Sequence, residues 1–219
     1  ILIISKMVNI IPYAQNEHKA RLLKQLKQAY LQQIFSQELR FTVFSDDWRE
    51  RPLVEMVDRV SESSAVELPR VEFEDLIPAM VRLNKDITKS DDIRSGIHFV
   101  DGDILYGKLR PYLKNWLHAT FEGIALGDFW VLRTKEILES SFLYALIQAP
   151  KYQQVANLSS GTKMPRSDWK TVSTTEFSIP EKVEQQKIGS FFKQLDNLIT
   201  LNQQKLDLLK KQKQAYLQK

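Results

Sequence analysis

Two short stretches of this 219-residue chain carry the side chains best suited to grip a polyanion. The first runs Gly107-Lys108-Leu109-Arg110-Pro111-Tyr112-Leu113-Lys114-Asn115-Trp116, and no acidic residue lies between Asp103 and Glu122. Lysine and arginine alternate here with tyrosine and tryptophan, a mixture suited to phosphates and base edges. The second runs Ser159-Ser160-Gly161-Thr162-Lys163-Met164-Pro165-Arg166. Its hydroxyls, glycine and two cations can offer backbone N–H groups and positive charge to phosphate oxygens. Lys108, Lys114 and Lys163 are the expected phosphate contacts. Arg110 and Arg166 carry the fork that reads guanine. Tyr112, Ser160 and Thr162 complete the candidate set. Each stretch also has a plainer reading: a strand whose charges snorkel over buried aromatics, and an ordinary surface turn.

Catalytic patterns are missing from the sequence. Seven glycines are scattered singly, without G-x-x-x-x-G-K or G-x-G-x-x-G spacing. Neither H-E-x-x-H nor G-x-S-x-G occurs. No cofactor loop is found, so no cofactor is expected and the chain reads as a non-enzyme. Asp101 and Asp103 flank Gly102 and have the chemistry for a metal-dependent nuclease. An Asp-Gly turn between two strands uses the same residues for backbone reasons alone, and that reading is preferred. With no cysteine and only His18, His98 and His118, a zinc site is not expected.

The elements that must position these loops begin with the last stretch, 182–219. Ile188, Phe192, Leu195, Ile199, Asn202, Leu206, Leu209, Lys213 and Tyr216 alternate at steps of four and three, a heptad seam. At ~1.5 Å per residue this predicts a rod of roughly 55 Å. One apolar edge on so long a helix needs a partner. The partner is legible in the chain itself, because KQAYLQ occurs at 27–32 and again at 213–218. Extending the alignment places Asn16 with Asn202, Leu23 with Leu209 and Tyr30 with Tyr216. Asparagine on a seam lowers stability and can fix register, so Asn16 and Asn202 are the expected register residues. The plainer alternative is that they only weaken the seam where it meets solvent. The offset is far too long for a solenoid period. It suggests a large module between two copies of one helix.

The sequence divides into an irregular lead-in and helix at 1–37, a lobe at 38–181, and the closing helix at 182–219. Charge follows the division. Residues 182–219 carry +5 and 17–40 carry +3, whereas 41–103 carry −7 and 104–170 carry +4. The 104–170 region is therefore the better face for a polyanion. Within the lobe, Leu39, Phe41 and Val43 alternate like a short strand. Residues 53–60 fit a helix or a strand. Weak strand signals follow at 66–73 and 77–83, and stronger ones at 97–100, 104–113 and 124–134. A helix is expected at 139–157 with Pro150 breaking it, a loop at 159–170 and a strand at 171–180. The lobe is thus α+β with a mixed β-sheet, and the flanking helices form an antiparallel two-helix coiled coil. No run approaches the ~18–20 apolar residues of a membrane span, and no clear signal peptide opens the chain. A cytoplasmic protein is expected.

Taken in order, the Lys/Gln/Leu helix, LRFTVFSDDWRERPL, GDILYGKLRPYL, SSGTKMPRSDWKTV and FSIPEKVEQQKIGSFFKQLDNLI resemble the specificity subunit of type I restriction–modification systems. The resemblance covers nearly everything from residue 17 onward, and the start of the closing helix is its most specific piece. It implies a DNA-binding subunit with two target-recognition domains, each reading half of a bipartite site in double-stranded DNA. The helices set the spacing and dock DNA methyltransferase subunits, with restriction/translocase subunits outside them. This chain resembles one half of such a subunit, with a single recognition domain, and a homodimer through the helices would supply the other. The rival expectation is a coiled-coil interaction scaffold that does not read DNA directly.

Overall fold

The computed structural model describes residues 2–78, 83, 92–158 and 163–217, with side chains from Tyr13 onward apart from 213, 216 and 217. The expected seam at Lys213 and Tyr216 and the loop residues Ser160 and Thr162 lie outside the described side chains. Helix α1 spans Leu2–Phe35 and helix α6 spans Lys182–Leu217. The lead-in expected to be irregular is therefore helical from Leu2, and the helix runs through Pro12. The two rods pair antiparallel, since Lys24 meets Gln203, Tyr30 meets Phe191 and Phe35 meets Phe192. On α6 the seam residues Ile188, Phe192, Leu195 and Ile199 are buried, as the heptad pattern requires. Asn202, Leu206 and Leu209 further out are half-buried.

Between the rods the lobe opens with a loop, not the strand expected at 39–43. Phe41 packs on Phe191, while Leu39 and Val43 are exposed. Strand β1 (Arg49–Pro52), helix α2 (Leu53–Met56) and strand β2 (Val57–Val60) follow. The 53–60 stretch is thus helix and then strand. Strands β3 (Ser63–Ser64) and β4 (Arg70–Val71) are short. The strand expected at 77–83 falls largely outside the described residues, although Leu83 bridges to Leu76. Then come β5 (Gly96–Phe99), β6 (Ile104–Gly107), β7 (Trp116–His118), β8 (Gly123–Ala125) and β9 (Phe129–Thr134). Pro150 divides α3 (Ser140–Leu146) from α4 (Pro150–Ala156), consistent with its missing N–H. The strand expected at 171–180 begins instead as helix α5 (Trp169–Thr174). Asp168 caps it by accepting from Thr171 N at 2.7 Å, and only then does β10 (Glu176–Ile179) begin.

One sheet has the order β2-β9-β6-β7, a second β3-β5-β8-β4, and β1 pairs with β10. All pairings are antiparallel except β4 with β8, so the fold is mixed, as expected. The period of two along the central strands explains the layering. Ile104, Tyr106, Trp116, Trp130 and Leu132 face a core shared with α1, α3 and α6. Leu105, Leu117, Phe129 and Val131 face the opposite core, made with Phe99, Ala125 and Val71 of the second sheet. A sheet buried on both faces reads as an unbroken apolar run, as ILY and FWVL do here.

Candidate nucleic-acid interface

Strand β6 ends at Gly107, where the neighbouring chain comes too close for a side chain. A Cβ there would stand 2.6 Å from the carbonyl oxygen of Asn115. The next residues leave the sheet and join the second basic loop. Leu109 and Arg166 form an antiparallel bridge. Arg110 N donates to Pro165 O at 2.8 Å, and Ser167 N donates to Lys108 O at 2.8 Å. Two stretches more than fifty residues apart in sequence are thus joined by backbone hydrogen bonds. Lys108 N also donates to Asp128 O at 2.9 Å, tying the joint to the turn before β9.

The side chains follow this frame. Asp128 takes Arg166 at 3.0 Å and stands 3.7 Å from Lys108 Nζ. Arg110 is exposed with a left-handed φ of 49°, directly before the single turn Pro111–Leu113. Lys114 closes the turn with φ of 59°. Non-glycine residues hold such conformations only where the surroundings enforce them, and here the bridge to Pro165 and the buried ring of Pro111 do so. Tyr112 and Leu113 project from the turn, and Met164 and Lys163 are exposed on the other loop. Lys108, Arg110, Tyr112, Lys163 and Arg166 therefore belong to one joined pair of loops. Lys114 does not point the same way. It is half-buried and lines a cavity between lobe and rod with Lys24, Lys27 and Trp116. Asp128, which no motif singles out, is the residue that sequence reasoning missed. Its only signal is its place after Gly127, which has a φ of 80°.

The acidic turn is structural. Asp103 accepts from Arg133 Nε and a terminal nitrogen at 2.9 and 2.7 Å and from Val100 N at 2.9 Å, and it is buried. Both of its oxygens are thus engaged, while Gly102 supplies the positive φ of the turn. Asn202 donates to Leu198 O of its own helix at 2.8 Å.

An α+β lobe between two paired rods is a fold found in solved chains of type I restriction–modification systems. The sequence model of the family described as Type I restriction modification DNA specificity domain matches residues 84–211. The chain belongs to that family. The Type I restriction enzyme EcoDI specificity subunit of Escherichia coli is 31% identical over 107 residues, or 48% of this chain and 24% of that protein. The type I restriction–modification S subunit from M. genitalium has the same fold, with a TM-score of 0.65 at 14% identity. The HsdS subunit from Thermoanaerobacter tengcongensis gives 0.63 at 15%. A chain solved in work on complex assembly and conformational transition of the type I R-M system gives 0.60 at 18%. These three matches cover 99% of this chain and 58%, 55% and 56% of theirs. This specificity-domain chain therefore spans about a quarter of the curated relative and just over half of each solved S-type chain. No helix among the described residues is long and apolar enough to cross a membrane.

Proposed function

We propose that this chain reads one half of a bipartite site in double-stranded DNA within a type I restriction–modification complex, and itself catalyses no reaction. The observation that carries the reading is the backbone ladder from Lys108–Arg110 to Pro165–Ser167, which makes one basic surface from two loops. In this reading Arg110 and Arg166 contact base edges, Lys108 and Lys163 contact phosphates, and Ser160, Thr162 and Tyr112 support them. Lys114 contributes from the junction side. The rod docks methyltransferase subunits, restriction/translocase subunits join outside them, and the lobe-plus-rod chain can pair with a second copy to complete a two-part site.

Selection from a random duplex library followed by titration tests this. Arg166→Ala should lose ~10–100-fold in preference for the selected duplex. Lys108→Ala should weaken all duplexes alike and reduce the salt slope by about 1. A chain that binds no duplex, even with its methyltransferase partner present, would be a scaffold instead. The −7 charge of residues 41–103 favours that second reading.

A further inference from the structure

Where the rods meet the lobe, the seam is interrupted by charge. Lys27 of α1 is 5% exposed and Asp196 of α6 is 4% exposed. Lys27 Nζ donates to Asp196 Oδ1 and, at 2.6 Å, to Gln148 Oε1. Gln148 lies between α3 and α4, is 6% exposed, and donates from its amide nitrogen to Tyr144 O at 2.7 Å. One lysine thus ties both rods to the lobe. Asp196 Oδ2 is buried without a hydrogen-bond partner among the described residues. Burial pushes the Asp196 carboxyl up and the Lys27 ammonium down, each opposed by the charge of the other. Such a pair adds little to stability, and an apolar replacement of the same volume often does better.

We propose that the Lys27–Asp196 pair, held by Gln148, is the register lock that seats the lobe on the rods at one axial position. On the lobe side of the pair Tyr30, Phe35, Phe191 and Phe192 pack across the rods, whereas beyond it the rods are chains of Lys, Gln and Leu whose seam repeats every seven residues. A cavity of about 540 Å³ beside the pair is lined by Ile77, Trp116 and Ile199 as well as Lys24, Gln203 and Asp207, so close packing does not fix the seat there. A slip would strand a lysine and a carboxylate in an apolar seam, the outcome that buried charge penalises most. Asn202 donates to its own helix, so the lock is placed on the charged pair and Asn202 serves as the comparison. The lock stands on geometry alone. Its consequence, that the reading face is held at a set place along a duplex, rests on the proposed function.

The chain has no cysteine, so introduced pairs are its only thiols. Lys24→Cys with Gln203→Cys reports the observed register, and Lys24→Cys with Lys210→Cys reports a slip of seven. A short bis-maleimide is the probe. In the otherwise unaltered chain only the first pair should cross-link. In Lys27→Met with Asp196→Leu the melting temperature should hold or rise, and the slipped cross-link should increase by ~100-fold or more. The reversed pair, Lys27→Asp with Asp196→Lys, should restore the first pattern and guards against a variant that merely folds poorly. Cross-linking confined to the observed register in the Met/Leu variant overturns the lock. Slipping in Asn202→Leu with the charged pair intact overturns it as well. Failure of the unaltered chain to bind duplex would remove the consequence for DNA and leave the cross-linking result standing.

Discussion

Asp128 shows how single residues tune the candidate face. Its carboxylate holds Arg166 and lies near Lys108, yet Arg166 is 60% exposed at its side chain. An exposed pair of this kind is worth only ~0–1 kcal/mol. Cation types and spacing made the loops legible in the sequence. Their joining was not, because a backbone bridge leaves no mark on side-chain identity. His118 carries a different consequence. Its ring stacks on Tyr144 at 5.5 Å, and Nε2 lies 3.2 Å from Ser140 Oγ. Burial, helped by the Lys193 charge and opposed by Asp101, holds its pKa below the ordinary imidazole value. The unfolded chain therefore takes up this proton more readily. The associated stability is present above the ordinary value of about 6.5 and is lost as pH falls through it toward the lowered one. Thermal melts between pH 7.5 and 5 should fall more steeply for the native chain than for His118→Gln. Parallel curves would show that His118 contributes nothing to acid sensitivity.

At the scale of elements, the root of α6 explains why EQQKIGSFFKQLDNLI is so particular a string. Glu184 is buried and accepts from Arg40 at 2.8 and 2.7 Å, which anchors the loop after α1. Gln185 accepts from Glu139 N at 2.8 Å and donates to Ile137 O and Pro180 O, fastening the start of α3. Gly189 lets α3 press directly onto α6, where a Cβ would stand 2.8 Å from the backbone carbon of Ser141. Gly189→Ala should therefore part the two helices and cost ~1–3 kcal/mol, despite alanine's better helix propensity. Chemical denaturation checks this, and an unchanged or higher midpoint would mean that the contact yields freely. The elements misread from sequence share a cause. TVST is rich in β-branched residues, but the Asp168 cap and the burial of Val172 make it helical. The alternation of Leu39, Phe41 and Val43 comes from one ring reaching Phe191, not from a pleated surface. The long α1 was legible only from its heptads, since the apolar start and Pro12 obscured the rest.

For the whole molecule, the seam was readable because it repeats over many turns, whereas the lock across it joins residues 169 positions apart. The rod also has a second apolar side. Leu22, Leu26, Leu198 and Leu201 are 42–61% exposed. Leu22 and Leu26 sit two residues, or about 200° of helix, from Lys24 and Gln28, which face the lobe. In the proposed function these exposed leucines are the surface that receives the methyltransferase. Leu198→Glu with Leu201→Glu should leave the melting temperature within a few degrees and weaken capture of the cognate methyltransferase subunit by ~10-fold or more. Undiminished capture would place that contact elsewhere.

Strands β1 and β10 lie side by side, with Arg49 opposite Ile179 and Pro52 opposite Glu176. The chain therefore crosses into the lobe and back out through a single two-stranded neck. Lengthening or rewriting a loop on the far side adds no net displacement to the rods. In the proposed function the loops of the reading face can therefore vary while the rods, and the core they share with α3, stay the same.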